Sequence, residues 1–246
     1  MSLKKSATKF FFYGIAWGLG LIFCYCLVIF CTGNSTWRLI PVNNNQILAL
    51  FLSLGFYLLV AMKEELIFHG YAFQTILRGI GPFPTLVISS IIFAYVHNEN
   101  TGITPLAYAN IGIAGIFIGL LYLRTGSLWA PIGFHLGWNY AQVLFDLSVS
   151  GNTNVAVSPI DLVVKNQQLS YLLAGGDFGP EGGLIVTVIL LAAVAVAARG
   201  RWGIPLDNEW WRWPEMPVKI SRPVAWDFII GKSYFQWKLP AERNDD

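Results

Sequence analysis

Apolar residues along this chain gather in long runs separated by short polar punctuation. A transmembrane helix needs about 20 mainly apolar residues. Candidate spans are Phe10–Cys31, Gln46–Leu77, Pro84–His97, Pro105–Leu123, Leu128–Leu147 and Gly183–Ala198. The run from Pro84 is short for a full crossing. The run from Gln46 is long and is broken by Lys63, Glu64, Glu65 and His69. Turn-rich punctuation falls at Asn43–Asn45, Asn98–Thr104 and Gly151–Asn154, and the polar, glycine-containing stretch Ser148–Glu181 reads as an external loop. The pattern predicts an all-α fold, a polytopic transmembrane helix bundle, because only helices and closed barrels satisfy their backbones in lipid.

Composition agrees. Of 246 residues, 55% are hydrophobic and 12% charged, with mean hydropathy +0.54. A soluble domain carries about 25% charge, so this chain has too little polar surface to coat a globule. The net charge of +2 implies no nucleic-acid partner. Cys24, Cys26 and Cys31 all lie in or at the end of the first apolar run and form no ligand framework with a histidine. That run follows Lys4, Lys5 and Lys9 and exceeds the roughly 7–15 residues of a signal-peptide core, so it reads as a retained helix.

Basic residues in short loops set orientation. Lys4, Lys5 and Lys9 predict a cytoplasmic N-terminus in the cell membrane, and counting spans forward puts Arg78, Arg124, Arg199 and Arg201 on the same side. Residues 1–198 are expected to form the transmembrane domain, with its chemistry between 60 and 139. Residues 199–246, with Trp202, Trp210, Trp211 and Trp213 among charges, are expected to form an interfacial cytoplasmic tail. Gly115 and Gly119, with Gly112 and Ala114, offer a flat face for close helix contact.

Ionisable residues inside a membrane bundle are expensive and usually functional. All three histidines, His69, His97 and His135, lie in or at the end of an apolar run. Glu64 and Glu65 point about 100° apart on a helix, while Glu65 and His69 share a face at i, i+4. Neighbouring carboxylates repel in low dielectric, which suits one of them to take up a proton as a general base. Phe93 and His97 share a helix face in this reading, and so do His135 and Asn139. Each site has a plainer alternative: an interfacial helix end for the glutamates, packing or an inter-helix hydrogen bond for the histidines. Depth joins them. At about 1.5 Å per residue, Glu64 and His97 lie roughly 20 Å from the cytoplasmic face, His135 roughly 10 Å and Asn139 roughly 17 Å. The intramembrane polar residues are therefore expected to meet in one buried polar cavity.

Two hydrolytic mechanisms suit these residue types. Glu64 with His97 could activate a water while His135 and Asn139 bind the oxyanion. Alternatively His97, His135 and Glu64 could hold zinc with an open position for water. The choice between zinc and no cofactor stays open. Neither Gly-x-Ser-x-Gly nor His-Glu-x-x-His occurs.

Glu64-Glu65 with His69, Phe93 with His97 and His135 with Asn139, in that order, resemble the motifs of the CAAX prenyl protease and bacteriocin-processing (Abi) family of intramembrane proteases. The stretch from Leu123 to His135 reads like that family's third-motif region. The resemblance covers roughly Val60 to Asn139. It implies an intramembrane endopeptidase, in the metalloprotease reading or the metal-free one, acting on a peptide or lipidated protein at the bilayer. It makes Glu64 the base, His97 its partner, and His135 with Asn139 the oxyanion binders, with Glu65 in the catalytic set and His69 and Phe93 supporting it. His69 stands where the family has arginine. That departure keeps a second reading in view, an inactive membrane scaffold or immunity protein on the same fold. A proton-coupled carrier is a third class, for which no half-length repeat is present.

Overall fold

A computed structural model describes residues 7–33, 35–152, 158–165 and 170–199. The chain runs α1 (Ala7–Cys31), β1 (Ser35–Leu39), α2 (Asn44–Glu65), a π-helical segment (Leu66–Tyr71), α3 (Ala72–Ile80), α4 (Pro82–Tyr95), α5 (Pro105–Thr125), α6 (Trp129–Leu144) and β2 (Ile160–Val164). Short turns at Ser170–Ala174, Gly176–Phe178 and Pro180–Gly182 lead into α7 (Leu184–Ala198). The fold is an all-α helical membrane bundle with one small two-stranded sheet among the described residues.

Local signals set the helix ends. Asn43 and Gln46 close a reciprocal capping box at the start of α2. Thr104 caps α5 through the Ala107 amide, Pro105 follows as its first residue, and Gly126, at φ 64°, ends it in the left-handed region. The long second apolar run is one interrupted structure rather than one helix. It leaves the α-helical pattern directly after Glu65, through a π-helical turn in which Gly70 has ψ −114°. The following α3 turns only Phe73 and Leu77 fully inward.

Three helical stretches are long and apolar enough to cross a membrane: Ala7–Cys31, Asn44–Ile80 and Pro105–Thr125. Pro82–Tyr95 and Leu184–Ala198 are apolar but shorter. Phe51 and Leu59 on α2, and Phe12, Phe23 and Phe30 on α1, are exposed, as a lipid-facing surface requires. The chain is a membrane protein. The tail expected beyond Arg199 lies outside the described residues.

Close contacts fix how the helices run. Gly14 and Gly18 of α1 lie against Gly133 and Gly137 of α6, both pairs spaced by four. A methyl on Gly14 would run into the Ala130 carbonyl and sit 2.6 Å from the Phe134 amide, and one on Gly137 would sit 2.7 Å from the Ile15 carbonyl. Backbone therefore meets backbone, and since contacts rise together along both helices, α1 and α6 run parallel. The sequence analysis did not single out these four glycines. It did single out Gly115 and Gly119, which form a second close contact: Gly115 faces Ser90 and Gly119 faces Leu86 and Phe73, so α4 and α5 run antiparallel. Helices α5 and α7 run parallel. Asn110 donates to the Glu181 and Gly183 carbonyls at one end, and Arg124 donates to the Ala197 and Ala198 carbonyls at the other. Arg124 thereby satisfies carbonyls that the end of α7 leaves open.

Strands were not foreseen. β1 pairs antiparallel with β2, from Ser35 opposite Val164 to Leu39 opposite Ile160, so part of the expected external loop is ordered against the segment that follows α1.

Gly133→Ala places a methyl against the Phe11 carbonyl. It is expected to destabilise the protein by roughly 1–3 kcal/mol, the usual cost of overpacking. Gly20→Ala, in α1 with open space around it, should leave stability unchanged. Thermal unfolding of both variants in one detergent checks this. Equal melting temperatures would mean that the α1–α6 contact yields without cost.

Candidate active site

The last turn of α2 presents two carboxylates in different directions. Glu65 turns inward and is 0% exposed, while Glu64 faces a cavity. Their expected mutual repulsion is taken up by imidazoles. Glu65 Oε2 accepts a hydrogen bond from His69 Nδ1–H at 2.7 Å, and Glu65 Oε1 accepts one from His135 Nδ1–H, also at 2.7 Å. One buried carboxylate therefore ties the π-helical turn of its own chain segment to α6. A group so buried is tolerated only when both oxygens are hydrogen-bonded, and here both are.

His97 departs from the helical placement expected of it. α4 ends at Tyr95, and His97 sits in the following turn. Its link to Phe93 survives in another form: Nδ1–H donates to the Phe93 carbonyl at 2.7 Å. A backbone carbonyl only accepts, so this bond fixes the proton on Nδ1 and leaves Nε2 free to accept in the neutral ring. The Phe93 ring stands among the three histidines, its centroid 4.8 Å from His97, 6.1 Å from His69 and 6.3 Å from His135. It is an apolar spacer that sets the imidazoles apart.

The outward nitrogens then converge. His97 Nε2 lies 3.8 Å and His135 Nε2 3.9 Å from the same oxygen, Oε2 of Glu64. That oxygen is buried and makes no direct hydrogen bond. Both distances exceed hydrogen-bond length. With Nδ1 of each ring engaged elsewhere, three acceptors face one another, and the complement of such a set is a shared hydroxylic donor such as water. Asn139, one turn beyond His135 on α6, lines the same space.

The cavity measures about 580 Å³. Glu64, His97, His135 and Asn139 supply polar groups, Leu52, Phe56, Tyr57 and Val60 of α2 supply an apolar wall, and Asn100, Ser150 and Asn152 lie at the loop end. The structure thus brings together Glu64, Glu65, His69, Phe93, His97, His135 and Asn139. Among the described residues no group of three or more His, Cys, Asp or Glu side chains is arranged to hold a metal ion, so the zinc set of Glu64, His97 and His135 gains no support.

One buried acid escaped the sequence analysis. Glu181 was placed in an external loop, but it is 4% exposed and accepts hydrogen bonds from Trp138 and Gln142 of α6. A signal was present: His135, Trp138, Asn139 and Gln142 fall at i, i+3, i+4 and i+7, a polar stripe whose far end also needs a partner.

Residues 46–141 match a family model, Rce1-like, the type II CAAX prenyl endopeptidase Rce1-like proteins. The matched segment contains every motif residue named above, while α1, β1 and α7 lie outside it. No curated protein and no solved structure matches the chain. The match, which spans less than half of the chain, supports kinship with the CAAX protease family.

Removing the Glu65 carboxylate strands two buried imidazole donors. Glu65→Ala is expected to cost roughly 3–5 kcal/mol, as for breaking a buried pair from one side. Glu64→Gln, which loses no direct hydrogen bond, should melt near wild type. Thermal unfolding of the two variants side by side is the measurement. A Glu65→Ala protein as stable as Glu64→Gln would show that Glu65 does not organise the site.

Proposed function

We propose, for a chain whose residues 46–141 carry the CAAX prenyl endopeptidase pattern, an intramembrane endopeptidase that hydrolyses peptide bonds of membrane-associated or lipidated peptides. The observation that carries this reading is the approach of His97 Nε2 and His135 Nε2 to one oxygen of Glu64, at 3.8 and 3.9 Å, inside a half-apolar cavity.

Glu64 with His97 takes the proton of a water held between Glu64 Oε2 and His97 Nε2, and the resulting hydroxide attacks the scissile carbonyl. His97 is suited to this because its Nδ1–H bond to the Phe93 carbonyl aims the Nε2 lone pair at the water site. His135 differs from His97 in what lies behind it. Its Nδ1–H rests on the Glu65 carboxylate, which supports a second proton on Nε2 in the way that a buried aspartate supports an imidazolium. In that form Nε2–H donates to the tetrahedral oxyanion, and the Asn139 amide supplies the second donor. The carbon–nitrogen bond then breaks as the proton held by Glu64 and His97 passes to the leaving amine.

His69 stands at the family's arginine position, which motivates the inactive-scaffold reading. Its 2.7 Å bond to Glu65 gives Oε2 the donor that an arginine would give it, so the substitution by itself does not strip that oxygen of its partner.

Purified protein is expected to cut a peptide from a panel of lipidated and unlipidated substrates, and Glu64→Gln should lower kcat by at least about 10³, a loss of the order seen when an essential acid–base group is removed. A strong chelator should leave the rate unchanged. Equal cleavage by Glu64→Gln would sink the proposal, and chelator-sensitive cleavage restored by zinc would replace the water-activating pair with a metal.

A further inference from the structure

Behind the catalytic face lies a second, smaller chamber of about 40 Å³. A single water needs roughly 10–15 Å³ measured with a water-sized probe, so this space holds at least one. His97, His135, Asn139 and Ser150 border both this chamber and the large cavity, while Glu181 borders only the chamber. The catalytic residues are thus a partition, with Glu64 on one side and a third carboxyl on the other.

Glu181 is built into place from several directions. Its Oε1 accepts from Trp138 Nε1–H at 2.7 Å and from Gln142 Nε2–H at 2.9 Å. Its backbone carbonyl accepts from Asn110 Nδ2–H at 2.7 Å, and Asn110 is held in turn by the Thr187 hydroxyl. Its Oε2 is buried and has no hydrogen bond within strict geometry, although the Ser150 and Glu181 backbone N–H groups bond the carboxyl more loosely. A buried, half-satisfied carboxyl calls for a donor. The space beside it that can hold one is the chamber.

We propose that Glu181 is a positioning residue of the hydrolytic site, joined to the His97–His135–Asn139 face by an ordered water in this chamber. Oε1 anchors the α6 stripe at Trp138 and Gln142, one step along the helix from His135 and Asn139. Oε2 receives the water, whose other contacts lie on the partition. The ionisable groups facing Glu181 are Tyr25 of α1, Tyr57 of α2 and His135 of α6. Burial holds its carboxyl above the usual carboxylate range, against the opposing pull of the Trp138 and Gln142 bonds. A carboxyl of that kind can change charge while the enzyme works, and His135 is the nearest part of the machinery to feel it. This role rests on the hydrolytic reading above, whereas the geometry of carboxyl, chamber and histidine does not.

The chain has three histidines, so isotopically labelled imidazoles give three resolvable signals, each assigned by its own His→Gln variant. In Glu181→Gln, which keeps the shape and an acceptor for Trp138, the pH response of His135 should be displaced by about one unit, the size expected for one charge about 10 Å away at an effective dielectric of about 20. His69, which does not line the chamber, should stay as in wild type, and the melting temperature should hold. Filling the chamber with Ala114→Leu should displace the His135 response without touching the carboxyl, and it decides the matter should Glu181→Gln not fold. Titration curves for all three histidines that superimpose on wild type in the folded variant overturn the proposal. Because the readout needs no substrate, the two readings fail separately. Cleavage that survives Glu64→Gln removes the hydrolytic reading, and an unmoved His135 removes this one.

Discussion

The site hangs on one buried carboxylate. Glu65 is fully shielded from solvent and accepts a hydrogen bond on each oxygen, from His69 on one side and from His135 on the other. In a low-dielectric bundle neither the charge nor the imidazole donors are tolerable alone. The three residues therefore fold as a unit or not at all. Everything that faces the cavity follows from this constraint. With Nδ1 of His135 committed to Glu65, only Nε2 is left to point into the cavity, and it points at Glu64. Glu64, adjacent in sequence and about 100° away around the helix, is turned toward the cavity by the same twist that buries its neighbour.

Such an arrangement needs α6 held at fixed height against α2. Lipid gives helices no hydrophobic reason to associate, so height is set by close packing and polar contacts. The α1–α6 glycine contact sets it first. Gly133 and Gly137 flank His135, and their backbone lies directly on that of Phe11 to Gly18, so a slide of α6 along α1 would meet carbonyls at every step. Arg124 and Asn110 pin α5 to the two ends of α7, and Glu181 pins the connection before α7 to α6. The polar face of the cavity is gripped from both sides by contacts that do no more than hold it in position.

The sequence disclosed the helices and the cast of polar residues, because both depend on composition within a short window. A run such as Pro105–Leu123 can hardly be anything but a helix in lipid, and with three histidines in the chain, each in or beside an apolar run, the candidates were few. That these residues meet was expected from helix rise, but the run from Glu64 to Leu77 is not one helix and His97 lies beyond α4. What stayed hidden depends on geometry between distant segments. The termination of α4 at Tyr95 puts His97 in a turn, where a carbonyl rather than a helix face orients it. β1 and β2 were invisible because a five-residue pairing between Ser35 and Val164 has no local periodicity to announce it. Glu181 was missed for a related reason: its glycine-rich surroundings look like loop, and burial was supplied by α5, α6 and α7 closing over it.

The histidine at position 69 changes what the site asks of its other groups. An arginine there would bring several donors and a permanent charge. His69 brings one donor, through Nδ1, and its buried Nε2 has no partner. The hydrogen bond to Glu65 is thereby kept, while the charge that a guanidinium would neutralise outright is left for other groups to balance. The other imidazole on Glu65 is His135, whose far nitrogen faces Glu64. Weakening the support behind Glu65 therefore concentrates its field on the residue that the proposed mechanism asks to carry a second proton. The departure thus shifts electrostatic load from His69 to the imidazole that faces the cavity, and the hydrogen bonds to Glu65 that position both remain.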